Sequence, residues 1–159
     1  MSYTEPDTIK AAKIKIAKYC AYQERSHQEV RDKLYGLGLH KIDVENLIAE
    51  MIELNYLNEE RYAISYCRGK HLLKKWGRIK IIKELKTKRI SDYCIKKGLE
   101  EIEEEVYMRN LCELLEIQWN KHRAHNTYQR KNRSVQYMIR KGYESELVWT
   151  QVNLLLGND

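Results

Sequence analysis

The chain contains no phenylalanine, one proline and seven glycines in 159 residues. So few turn formers exclude the many tight reversals of a β-sandwich. No apolar run is long enough for a membrane span or a signal peptide, so the chain beginning MSYTEPDTIKAAKIKIAKYC is expected to remain in the cytoplasm. The cysteines, Cys20, Cys67, Cys94 and Cys112, form no CxxC pair and fall in apolar stripes, which points to buried reduced thiols rather than disulfides. No nucleophile elbow, phosphate-binding glycine loop or HExxH sequence is present, so neither catalysis nor a cofactor is expected. His122 and His125 lack the cysteine or carboxylate pair that would complete a metal site, and the acids from Glu100 to Glu105 lack a calcium-loop pattern.

What is present is charge and tyrosine. A third of the residues are charged, hydrophobic content is 43% and mean hydropathy is −0.71. That balance suits thin helical layers with large solvated faces. Twelve tyrosines replace the missing phenylalanines. A tyrosine ring fills a half-buried site while its hydroxyl stays wet, which suits a shallow core. The net charge of +6 favours a polyanionic partner.

The stretch Ser26 to Cys67 sets the pattern for the chain. Ser26 with Glu29 reads as a capping box, Val30, Leu34 and Leu37 recur at helical spacing, and Gly38 suits a left-handed stop. Val44, Leu47, Ile48, Met51 and Ile52 then share a face until Asn55, and Asn58 can cap a helix starting with Tyr62, Ile64 and Tyr66. Read this way, the chain holds nine helices: Thr8 to about Glu24, Ser26 to Leu37, Lys41 to Leu54, Asn58 to about Lys75, Arg78 to Lys88, one capped by Ser91, Glu103 to Asn120, Thr127 to Lys141, and Glu144 to Leu156 with a stop at Gly157. Inward faces are expected at Ile14, Ala17, Cys20 and Ala21 in the first helix and at Ile79, Ile82 and Leu85 in the fifth. No segment alternates with period two for long enough to form a strand.

A shift of about fifty positions lays Val30, Leu34, Val44, Ile48 and Met51 over Ile81, Leu85, Ile95, Leu99 and Ile102, and a further one pairs Gly38-Leu39 with Gly142-Tyr143. The fold class is therefore all-α, with tandem three-helix repeats in an elongated array. The expected units are 1–57, 58–102 and 103–159.

Charge alternates along this array. Ser26 to Cys67 carries eight acids against four bases, whereas Arg68 to Lys97 carries twelve bases against Glu84 and Asp92 alone. The block from Gly98 to Trp119 is acidic again, and Asn120 to Lys141 has seven basic residues and no acid. The first basic block supplies Arg68, Lys70, Lys74, Lys75, Arg78, Lys80 and Lys83 as candidate contacts to an anionic partner. The second supplies Lys121, Arg123, Arg130, Lys131, Arg133, Arg140 and Lys141. Trp76 fits packing under a helix junction better than stacking on a base.

Taken in order, Ser26, Glu29, Leu34, Gly38-Leu39, Asn58-Glu59-Glu60-Arg61-Tyr62-Ala63, Arg68, Gly77-Arg78-Ile79, Glu84-Leu85 and Arg140-Lys141-Gly142-Tyr143 resemble the RecX family of bacterial recombination regulators. The resemblance runs from about Ala11 to Leu155. It departs where Tyr or Leu replaces the family's Phe, where Arg89-Ile90 stands for a Gly-Ile turn, and at Trp76 with no proline near Gly77. It implies a curved array of three three-helix repeats without catalytic activity. The implied partners are the RecA recombinase and its filament on single-stranded DNA, where such a protein restrains filament extension, ATP hydrolysis, strand exchange and the coprotease activity behind the SOS response. The implied state is a monomer with no membrane contact. Two other readings stay open: a DNA-binding helical module acting without RecA, and a scaffold for another acidic protein.

Overall fold

The structure, a computed structural model, describes residues 6–158; the outermost residues of the expected first and third units, 1–5 and 159, lie outside it. The described residues form nine α-helices and no strand: α1 (Asp7–Tyr22), α2 (His27–Gly36), α3 (Lys41–Glu53), α4 (Glu59–Leu72), α5 (Arg78–Thr87), α6 (Asp92–Glu100), α7 (Glu104–Lys121), α8 (Thr127–Lys141) and α9 (Ser145–Asn158). Four starts are fixed by side-chain caps. Ser26 Oγ accepts from Glu29 N (3.0 Å), Asn58 Oδ1 from Arg61 N (2.8 Å), Ser91 Oγ from Cys94 N (3.3 Å) and Asn126 Oδ1 from Gln129 N (2.9 Å). The Glu29 carboxylate of the expected capping box accepts instead from the Tyr62 hydroxyl (3.0 Å) and lies 3.7 Å from Lys88 Nζ. α9 does not stop at Gly157; it runs through it to Asn158.

The middle helix of each triplet ends in the same turn. Leu39 N donates to Leu34 O, Ile90 N to Leu85 O and Tyr143 N to Met138 O. Just before each donor, Gly38, Arg89 and Gly142 take φ of 89°, 61° and 102°. This is the six-residue C-terminal motif that satisfies the last free carbonyls of a helix. Arg89 thus builds the expected glycine turn in the left-handed conformation rather than a different one.

Each triplet closes on its own apolar cluster. Ala12, Ile16 and Cys20 of α1 meet Val30, Leu34, Val44 and Ile48. Ala63 and Cys67 of α4 meet Ile81, Leu85 and Ile95, while Leu111, Leu115 and Trp119 of α7 meet Val135, Met138, Val148 and Val152. Full burial of each valine, leucine, isoleucine or methionine among them contributes about 1.5–3 kcal/mol. Gly98 lets α6 lie directly on α4, since a Cβ there would sit 2.7 Å from Ala63 O and 2.8 Å from Cys67 Sγ.

Four inward assignments are corrected. Ile14 is 59% exposed, Ile79 52% and Ile52 44%, and Ala21 is also exposed. The buried residues are Ala12, Ile16 and Cys20 in α1 and Ile81 and Leu85 in α5, so the expected Cys20 and Leu85 do face inward. The chain's accessible surface of 10209 Å² exceeds the roughly 8,400 Å² of a compact monomer of this mass, which fits a row of small clusters rather than one globule. All four cysteines are free; Cys20, Cys67 and Cys94 are buried and Cys112 is half-buried. Burial pushes the Cys67 thiol up to about 12, which leaves it unreactive. No described helix is long and apolar enough to cross a membrane.

Candidate functional site

The second and third triplets meet in a polar and aromatic joint built on Tyr107. Its hydroxyl accepts from Arg78 N (3.1 Å) and donates to Glu144, and its ring stacks on His71 (5.1 Å) and tilts against Tyr143 (5.3 Å). Tyr143 donates its hydroxyl to Lys75 O (2.8 Å). Main chain closes the joint: Gly77 N donates to Lys141 O (2.8 Å) and Ile79 N to Gly142 O (2.9 Å). Side chains on Gly77 or Gly142 would collide with the opposite segment, so both glycines are needed for this approach.

Arg78, read from the sequence as a contact to a partner, belongs to this joint. Its guanidinium lies 3.8 Å from the Tyr107 ring centroid and pairs with Glu104 (2.9 Å) and Glu144 (2.8 Å). Burial works against its charge, but the two carboxylates outweigh that and hold it above the usual arginine range. Within the joint, His71 Nδ1 donates to Trp76 O (2.9 Å) and Nε2 accepts from the Asn110 amide (3.0 Å). Burial of His71 favours the neutral ring and lowers its pKa.

The rest of the first basic block divides. Arg68 on α4 pairs with Glu101 (2.6 Å). Lys70 and Lys80 set their ammonium groups 4.7 and 4.2 Å from the centroid of Trp76, which is half-buried against the second cluster. The tryptophan packs, as the sequence favours, with cations over its ring. Lys75 reaches Asn110 at 3.5 Å, and Lys74 and Lys83 are exposed.

The second block divides as well. Arg130 donates to Trp119 O (2.8 Å) and covers its ring at 3.9 Å, and Lys131 lies 4.9 Å from the Trp149 ring. Arg123 bonds Asn120 (3.3 Å) and Lys141 lends its carbonyl to the joint. Lys121, Arg133 and Arg140 instead line one groove of 380 Å³ between the end of α7 and α8, together with His122, Gln118, Asn132, Gln136 and Tyr137. The sequence reading named the groove's three cations but not its three carboxamides or the joint's His71, Tyr107, Asn110 and Glu144. The repeat register held a signal for His71. It stands 51 residues after Cys20 and 48 before Trp119, an inward place where a histidine must be satisfied by partners.

Among known proteins, residues 58–99 match the family model of the second three-helix domain of RecX and residues 105–151 that of the third, together more than half of the chain. The chain belongs to the RecX family. The regulatory protein RecX of Bacillus mycoides (strain KBAB4) is 26% identical over 142 residues, covering 89% of this chain and 53% of that protein. Its counterpart in Bacillus cereus (strain B4264) is 25% identical over the same share. The chain thus spans about half the length of the curated relatives it matches. The crystal structure of RecX from Lactobacillus salivarius superposes with a TM-score of 0.84 at 26% identity, covering 94% of this chain and 97% of that one. A second RecX crystal structure, at 22% identity, shares the fold with a TM-score of 0.80 over 92% of this chain and 78% of that one.

Proposed function

We propose that this RecX-family protein is a non-catalytic, cytoplasmic regulator of the RecA recombinase, acting as a monomer. It lies along the RecA filament on single-stranded DNA and restrains filament extension, and with it ATP hydrolysis, strand exchange and coprotease activity. The observation that carries the reading is the ordered match of two successive RecX domains on a repeating array whose charge alternates from unit to unit. A filament presents the same protein surface at regular intervals. A row of helix triplets with acidic and basic stretches in turn is suited to pair with it by electrostatic complementarity.

The test is RecA ATP hydrolysis on single-stranded DNA, titrated with this protein. Inhibition well below one protein per RecA is the expected result. Unchanged hydrolysis at saturating protein overturns the reading. Of the fourteen cationic candidates, Arg78 is assigned here to holding the joint, and Lys74, Lys83, Arg133 and Arg140, all exposed, are the first to substitute.

A further inference from the structure

The first triplet is tied to the second by different means than the second is to the third. Ile102 packs against both the second and the third apolar clusters, whereas no described side chain belongs to both the first and the second. The chain passes from the first triplet to the second at one link. Tyr56 N and Leu57 N donate to Met51 O (2.9 and 3.2 Å), and Leu57 is buried in the first cluster. Asn58 belongs to the other side, because its side chain caps α4. Among the described residues no main-chain hydrogen bond crosses this point. Rotation about the soft backbone bonds of Leu57 and Asn58 therefore turns one triplet against the other at little cost.

Arg61 opposes that rotation. Its Nε donates to Glu24 (2.5 Å), Nη1 to Asn55 Oδ1 (3.3 Å), and Nη2 to the carbonyls of Asn55 (3.1 Å) and Tyr56 (3.3 Å). One side chain of α4 thus grips both ends of the first triplet. Glu29 adds its contacts to Tyr62 and Lys88.

The closed arrangement is incompletely satisfied. A polar cleft of 300 Å³ runs through the junction, with Gln23, Glu24 and Glu29 on one side and Tyr62, Tyr66 and Lys88 on the other. Beside it, Glu24 Oε2 is buried with no hydrogen-bond partner, a cost that opening to water removes. The Arg61–Glu24 and Lys88–Glu29 pairs keep between 27% and 39% of their side-chain surface exposed, so salt reaches and screens them.

We propose that the molecule is two rigid parts, residues 6–57 and 58–158, pivoting at the Leu57–Asn58 link, with Arg61 as a latch that ionic strength releases. In the proposed function the pivot gives the first triplet its own angle on a partner; the motion itself requires no partner.

The test is double electron–electron resonance on the full chain without RecA. Nitroxides are placed at Asn46→Cys with Lys96→Cys across the first junction, and at Lys96→Cys with Asn153→Cys across the second, all exposed positions. The background is Cys112→Ser, since the other cysteines are buried. As the screening length falls from about 10 Å at 0.1 M salt to about 3 Å at 1 M, the first distance is expected to lengthen and broaden while the second stays narrow. Arg61→Gln and Glu24→Gln are each expected to broaden the first distance already at low salt. Arg31→Gln, which breaks the Arg31–Glu45 pair inside the first triplet, is expected to leave both unchanged. A first distance as narrow as the second in Arg61→Gln and Glu24→Gln and across the salt series overturns the pivot. Equal broadening of both distances overturns it too, as does broadening accompanied by lost helicity in circular dichroism, which indicates a melting triplet. The RecA ATPase result does not enter, so the pivot and the regulator reading fail separately.

Discussion

His71 shows how a single buried residue couples the two sides of a joint. The Trp76 carbonyl can only accept, so Nδ1 carries the proton and Nε2 is left to accept from Asn110. Protonating Nε2 would bring a second cationic donor against the Asn110 amide, with Lys75 and Arg78 already nearby. Burial therefore keeps the folded-state pKa below the usual 6.5. The unfolded chain takes up a proton that the folded one refuses, so stability is full above pH 6.5 and falls as the pH drops below it toward the folded value. Thermal melting is expected to show a loss of at most about 1.4 kcal/mol per pH unit in that window from this group. His71→Gln, which keeps a neutral donor and acceptor, is expected to flatten it. A melting temperature that stays level from pH 7 to about 5 would contradict a neutral His71.

At the scale of helices, close approach is decided by glycine at two places in α4 and α6 that behave oppositely. Gly98 is where α6 touches the α4 backbone, while a Cβ on Gly69 would meet nothing within 4 Å. Gly98→Ala is expected to cost about 1–3 kcal/mol by forcing the helices apart. Gly69→Ala is expected to stabilise by about 0.4–1 kcal/mol through helix propensity and a less flexible unfolded chain. Denaturant unfolding of the two variants checks both signs, and a destabilised Gly69→Ala would show that the two positions are not distinct. Helix limits were legible because caps and left-handed stops are local: Ser26, Asn58, Ser91, Gly38 and Gly142 each act through residues a few positions away. Inward faces were less so. α1 carries Ile14 and Ile16 on opposite sides, and α5 carries Ile79, Ile81 and Ile82 together, so periodicity within one helix does not fix its phase. The fifty-residue shift did: it paired Ile81 with Val30, and both are fully buried. The cation settings were not legible, since whether an arginine meets a tryptophan ring, a carboxylate or an open groove depends on which helices meet, as Arg130, Arg78 and Arg133 show.

For the whole molecule, the two junctions differ in kind. Between the first and second triplets the links run through side chains: Arg61 with Glu24 at 2.5 Å and with the Asn55 and Tyr56 carbonyls, Tyr62 with Glu29, and Lys88 with Glu29. Between the second and third, main-chain bonds and stacked rings add to the ion pairs of Arg78. Part of the alternating charge therefore fastens neighbouring triplets, while Lys74, Lys83, Arg133 and Arg140 face outward. The most direct test of the central claim is sedimentation of RecA filaments assembled on single-stranded DNA with a non-hydrolysable nucleotide, in the presence of this protein. The account predicts that the protein pellets with the filament and saturates below one copy per RecA, because an array of three triplets extends past one subunit. Pelleting no greater than with DNA alone would contradict it.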